Sequence, residues 1–300
     1  MTNIWRMIAL QLSLAGLTAC GGETSPELTE QSTNNVDNTT STPSISVPAQ
    51  SNTTRKINDT GLDRCYPYSS NKRGYQKDLV DCTLEFTTDG DPIPRGQDGM
   101  YGRDSDQATN PDSDGRVGFS FTKLGASGEA LPLSAERWFC VKDNVTGLIW
   151  EVKTGTPSLH RYDERFTWYS PDTDTNGGVK GNRIGSSSCY GKKADDPSTY
   201  CNTYNFVRRV NREQYCGRSD WRLPSTTELI GLYDFGTQSN LKIDSDFFPF
   251  HEASQPYWTA DTYALSPSKA WQVKFGGILN FMVDVFGYKS SSARARLVAG

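Results

Sequence analysis

The sequence predicts an α+β fold: loop-rich antiparallel sheets with two main helices, stabilised by disulfides. Three observations predict it. Ser225 followed by Glu228 is a capping box directly ahead of an apolar helical run. Apolar residues alternate at Leu148, Trp150 and Val152, and again at Trp271, Val273 and Phe275, the period of strands with one buried face. Seven cysteines divide into Cys20, at the end of an export-like segment, and six others, an even number suited to disulfides in an oxidising compartment.

In chain order, residues 1–19 carry one charge, Arg6, and then an apolar run from Met7 to Ala19 that is too short to span a bilayer and fits a signal-peptide core. The run ends in Leu17-Thr18-Ala19-Cys20, which resembles the lipobox of bacterial lipoproteins. That resemblance implies cleavage before Cys20, acylation of its thiol and a firm anchor in one leaflet. Gly21 and Gly22 then imply sorting to the outer membrane, with the periplasmic or surface face left open. Residues 20–59 are the acylated Cys and a linker of Asn, Thr, Ser, Pro, Glu and Gln, which buries too little to offset its ordering entropy and is expected to be disordered.

Residues 60–136 read as an acidic extension clipped by Cys65 and Cys82. From Asp81 to Asp114 nine acidic side chains face only Arg95 and Arg103, so this part is either a solvated face or a cation site. Asp112-Ser113-Asp114-Gly115 begins like a calcium loop, with alternate carboxylates on a tight turn.

Residues 137–300 form the core domain. Phe139 and Val141 precede a turn at Asp143-Asn144 and Thr146-Gly147, and the alternation after it predicts a hairpin with Trp150 as a core anchor. Asp172, Asp174, Asn176 and Gly177 occupy the first, third, fifth and sixth positions of an EF-hand loop, but the twelfth is Arg183. The loop is therefore a non-EF calcium candidate, set against an Asx-rich turn that caps its own amides.

Between Ser198 and Glu213, Tyr200, Tyr204, Val207 and Val210 recur at helical spacing. Arg208, Arg209 and Arg212 fall on the other face, with Lys192 and Lys193 just ahead. This basic cluster reads as a solvated helix face or as a contact for sulfate or carboxylate groups, to which arginine offers a planar fork of donors. The second helix starts at Ser225, with Pro224 before its cap, and Leu229, Ile230, Leu232 and Tyr233 carry it to a stop at Gly236. Ahead of it Trp221 and Leu223 point inward and Arg222 outward. Tyr257–Ala260, Ala270–Phe275 and the alternation Phe281, Val283, Val285 after a Gly276-Gly277 turn predict strands, with a last one over Ser292–Val298.

Trp221-Arg222-Leu223-Pro224-Ser225-Thr226-Thr227-Glu228-Leu229 resembles the hallmark of a bacterial family named after the C-terminal domain of the Legionella collagen-like adhesin. Val141–Trp150, Tyr257-Trp258-Thr259 and Ala270–Phe275 stand in that family's order, so the resemblance covers residues 137–300. It implies a C-type-lectin-like fold and non-catalytic recognition at the cell surface, above all of carbohydrate in adhesion or aggregation. It also implies a homo-trimer, although the sequence has no Gly-X-Y stalk. Six cysteines allow fifteen pairings. Proximity in sequence and the motif order select Cys65 with Cys82, Cys189 with Cys201, and Cys140 with Cys216.

Enzyme motifs are missing from the sequence. Its two histidines, His160 and His251, stand in no zinc-protease pattern, and Gly-x-Ser-x-Gly, P-loop and dinucleotide fingerprints do not occur. The formal charge of −4, which becomes −5 when Arg6 leaves with the signal, opposes nucleic-acid binding. The expectation is a non-enzymatic protein whose partners are a glycan or surface protein and, through its lipid, the membrane, with calcium as the cofactor the two loops suggest. A structural or protein-binding envelope component competes with this reading. A polysaccharide hydrolase with a carboxylate pair comes third.

Overall fold

The structure, a computed structural model, describes residues 58–68, 79–103, 105, 110, 112–186, 188–276 and 286–300. The signal segment, Cys20, the linker to residue 57, Gly277 and the Phe281–Val285 alternation lie outside the described residues. The strands are β1 (Arg64–Cys65), β2 (Val80–Asp81), β3 (Phe121–Leu124), β4 (Cys140–Asp143), β5 (Ile149–Glu151), β6 (Phe166–Thr167), β7 (Tyr257–Thr262), β8 (Lys269–Val273), β9 (Phe286–Tyr288), β10 (Ser292–Ala293) and β11 (Val298–Ala299). The helices are α1 (Thr203–Glu213) and α2 (Thr226–Ile230). Sheets run β11-β5-β4-β3 and β7-β8-β9, with β1-β2 and β10-β6 as separate pairs, all antiparallel. This is an α+β architecture with three disulfides, Cys65–Cys82, Cys140–Cys216 and Cys189–Cys201.

The β4–β5 hairpin forms where the turn residues place it. Asp143 accepts the amides of Val145 and Gly147, and Gly147 takes φ +79°, a region that glycine enters without steric cost. The extension adds β3 to the same sheet, with Phe121 opposite Asp143 and Leu124 opposite Cys140. The expected one-sided burial needs correction. Phe121, Val141, Trp150 and Val298 enter one core, while Leu124, Cys140, Ile149 and Ala299 enter a second on the opposite face. The central sheet is thus covered on both sides, and the alternate residues Glu151 and Lys153 are buried as well.

The corner ahead of α2 is held by two kinds of bond. Trp221 is buried, and its Nε1 donates to Tyr215 O at 2.9 Å. The Ser225 hydroxyl accepts the Glu228 amide at 3.2 Å and Glu228 Oε2 accepts the Ser225 amide at 2.8 Å, completing the capping box. Arg222 clamps the same carboxylate with both terminal nitrogens, at 2.7 and 2.8 Å. Burial alone would raise Glu228, but Arg222 and the Ser225 amide outweigh it and bring its pKa down to about 2. Replacing Ser225 with Ala is expected to cost about 1 kcal/mol in a urea melt. A change below about 0.3 kcal/mol would mean that Arg222 alone fixes the corner.

Helix limits differ from the sequence reading at two places. α1 starts at Thr203, not Ser198, because the Asn202 side chain caps Asn205 while Asp196 caps a separate 3-10 turn at Pro197–Thr199. α2 ends at Ile230 with Gly231 as its C-cap, well before Gly236, so Leu232 and Tyr233 enter the core from a turn. The predicted last strand splits in two: β10 pairs with β6, β11 pairs with β5, and between them Arg294 O accepts the Trp258 amide. One short C-terminal segment therefore ties three sheets together.

Candidate functional site

The residues of the basic cluster come together where α1 faces the loop closed by Cys189–Cys201. Burial of Phe206 and Val210 sets the helix rotation, and it leaves Arg208 and Arg212 exposed. Arg209 lies between them, half-buried, donating to Tyr190 O at 2.8 Å, and Lys192 Nζ donates to Ser186 O at 2.9 Å. These two cations hold the loop. The cations left exposed are Arg208, Arg212 and Lys193. Asp196 sits among them, held below the usual carboxylate range by the Ser198 hydroxyl and amide first and by Lys193 and Arg212 after them.

Two exposed tyrosines adjoin the cluster, Tyr204 at Arg208 and Tyr190 at Arg209. Tyr204, read from sequence as part of the buried stripe, is 36% exposed, and the Arg208 guanidinium lies 5.5 Å from its ring centre. Tyr190, beside the half-cystine, is 50% exposed. The Tyr204–Arg208 spacing of four residues on a helix was the available clue, because such pairs share a face. An aromatic face beside a guanidinium offers stacking for sugar C–H groups together with a planar set of donors.

The two acidic loops spend much of their acceptor capacity on their own turns. Asp172 accepts the Asp174 amide at 3.0 Å and the Thr175 hydroxyl at 3.0 Å, and Asn176 accepts the Gly178 amide at 2.8 Å. Inside this loop the Lys289 ammonium bonds Asn176 O and Val179 O, both at 2.8 Å, and the Thr262 hydroxyl at 3.0 Å. A lysine thus stands where converging carbonyls could have met a metal, and the donor set fits calcium poorly. Asp112 accepts the Val117 amide at 2.9 Å and Asp114 the Ser120 hydroxyl at 2.6 Å. Asp112 also borders a cleft of 510 Å³ with Arg116, Trp138, Asp234 and Asp244. Among the described residues no three His, Cys, Asp or Glu side chains group as a metal site.

His160 is buried and His251 half-buried, both close to the central sheet. His160 Nδ1 donates to Glu151 at 2.7 Å, and its Nε2 lies 3.2 Å from Glu213. Lys153 Nζ reaches the same Glu151 oxygen at 2.8 Å, and the Leu297 amide donates to the other oxygen at 2.9 Å. Burial alone would raise Glu151, but the Lys153 charge and the His160 hydrogen bond hold it at about 2. Burial opposes charge on His160 too, yet its two carboxylate partners raise it above 6.5. His160 is engaged by carboxylates at both nitrogens, with the Tyr215 ring stacked 3.8 Å from its own. This arrangement bonds β5 to α1 and the C-terminal segment.

The family described as Lcl C-terminal domain matches residues 139–299, more than half of the 300-residue chain. No curated protein and no solved structure matches it. The matched span starts at β4 and closes at β11, so it takes in both helices, the Trp221 corner and the α1 surface. The chain belongs to the Lcl C-terminal domain family.

Proposed function

We propose that this chain is an outer-membrane lipoprotein, acylated at Cys20 and tethered by residues 20–59, whose non-catalytic domain recognises carbohydrate in adhesion or aggregation. Family membership supports an adhesin-like surface domain. The α+β architecture with its disulfides supports a C-type-lectin-like fold. The observation that carries the ligand reading is the exposed Tyr204 ring beside Arg208, on the helix that also exposes Arg212 and holds the loop of Tyr190 and Lys193 through Arg209. Rings stack against sugar faces, and guanidiniums take sulfate or carboxylate substituents in a planar fork. Asp196, set among the cations, disfavours indiscriminate polyanion binding and favours ligands that place few charges at chosen positions.

A glycan array with the full chain in detergent tests this. Replacing Arg208, Arg212 and Lys193 with Ser is expected to weaken the best ligand at least about tenfold, since a charge-assisted hydrogen bond contributes roughly 1.5–3 kcal/mol and about 1.4 kcal/mol is a factor of ten. The array is run with calcium and with chelator, and a loss under chelator would assign a cation to the Asp172 or Asp112 loop. A blank array with correctly oxidised protein would favour the structural or protein-binding envelope component instead. Sedimentation of the same sample tests the homo-trimer.

A further inference from the structure

Next to the Glu151 network lies a buried group with more hydrogen-bond donors than acceptors. Arg294 and Arg296 are alternate residues of the C-terminal segment, 3% and 0% exposed. Arg296 Nη1 donates to Glu151 O at 2.6 Å and its Nη2 lies 3.3 Å from His251 Nδ1. Arg294 Nη2 meets Glu252 at 2.8 Å. Arg294 Nε and Nη1 and Arg296 Nε, all buried, have no hydrogen-bond partner among the described residues. His251 Nε2 and the Tyr257 hydroxyl make no hydrogen bond of regular length and angle either, although the Tyr257 oxygen lies near enough to both guanidiniums to interact with them.

These groups are neighbours. The Tyr257 ring stacks on His251 at 4.8 Å and lies 5.8 Å from the Arg296 guanidinium carbon, while Tyr257 and Arg294 are bridged along the backbone. Tyr162 covers Arg294 at 5.7 Å and Phe248 covers Arg296 at 4.9 Å, so the surroundings are aromatic. Charge does not balance either. Glu151 attracts Arg296, but its carboxylate oxygens are taken by Lys153, His160 and the Leu297 amide, so among the described residues the half-exposed Glu252 is the one carboxylate bonded to these two guanidiniums. His251 adds no negative charge, and burial next to both arginines keeps it neutral. A buried guanidinium without a counter-charge is strongly disfavoured.

We propose that this cluster binds one small monovalent anion, of the chloride or simple carboxylate class, between Arg294, Arg296 and Tyr257. The anion accepts from the unpartnered guanidinium N–H groups and the tyrosine O–H. By doing so it fastens the C-terminal segment across β7 and β5. The aromatic cover excludes bulky oxyanions.

Thermal unfolding of the full chain at constant ionic strength tests it, with sodium chloride, acetate and bulky gluconate as parallel salts. At about a hundredfold excess over Kd the midpoint is expected to rise by roughly 5 °C or more over gluconate. A rise with chloride alone, with acetate alone or with both identifies the anion and supports the site. Arg294→Gln is expected to abolish the difference between salts. Crystals soaked in bromide are expected to show an anomalous peak about 3.3 Å from the Arg294 and Arg296 nitrogens. Equal midpoints in all salts with no bromide peak would overturn the proposal and assign the donors to buried water. If Arg294→Gln does not fold, the bromide experiment on the native chain decides.

Discussion

Replacing Glu151 with Gln is expected to destabilise the domain by about 3–5 kcal/mol, the usual cost of removing one partner from a buried ion pair. Glu151 is fully buried and accepts from Lys153, His160 and the Leu297 amide. Without its charge, Lys153 and His160 keep theirs in a dry setting or lose them, and either outcome is unfavourable. Burial already pushes the Lys153 ammonium below its ordinary range despite the carboxylate. The pair therefore recovers only part of its desolvation cost, and Glu151→Gln combined with Lys153→Met is expected to lose less than Glu151→Gln alone.

The pH dependence follows from two opposite shifts. Glu151 titrates at about 2 in the fold against 4.5 for the free side chain, so its contribution is complete above pH 4.5 and is lost as pH falls toward 2. His160 is raised above 6.5, so its contribution is complete below pH 6.5 and is lost as pH rises through its folded value. The difference between native and Glu151→Gln protein should peak near pH 5.5, between those limits, and shrink on both sides. Urea melts across that range measure it. A peak difference under about 1 kcal/mol would show that the network is solvated rather than buried.

Most of what could be read in the sequence was local; the exception is Cys140–Cys216, a pairing over 76 residues that the motif order selected and the structure contains. The capping box at Ser225, the turn at Gly147 and the clipped loops at Cys65–Cys82 and Cys189–Cys201 depend on residues within a few positions of one another or on short spacings. The same local signals placed Trp150 and Trp221 in the core. Long-range packing was hidden. Alternation put Glu151 and Lys153 on a solvent face, and only the second core, brought over by α1 and the Trp221 corner, encloses them. Ser292–Val298 has the pattern of one strand, and nothing local says that its halves serve different sheets. The arginines of α1 were legible through helical spacing. Tyr204 was not, because a tyrosine on that stripe reads as core until the helix start moves to Thr203.

Removing the Cys140–Cys216 disulfide, by changing both residues to Ala, is expected to cost about 4.5 kcal/mol, the chain-closure value for its span of 76 residues. The Cys189–Cys201 bond spans 12 and is expected to cost about 3 kcal/mol on the same basis. The two variants should also differ in kind. Cys140 lies on β4 opposite Glu151, and Cys216 follows Tyr215, whose ring stacks on His160 and whose hydroxyl bonds Phe139 O at 3.0 Å. Loss of that bond frees the corner from the central sheet and loosens the Glu151 network with it, so unfolding stability falls and its pH optimum flattens. Loss of Cys189–Cys201 removes two sulfurs from the second core and frees Tyr190 and Lys193 from the α1 surface, while the first core keeps all its members, so the glycan binding proposed above is expected to fall more than stability does. Denaturant midpoints and array binding of the two double variants, measured side by side, separate the cases. If the short loop proves the larger stability loss, the Trp221 corner is held by its capping box and by the Arg222–Glu228 clamp rather than by the disulfide.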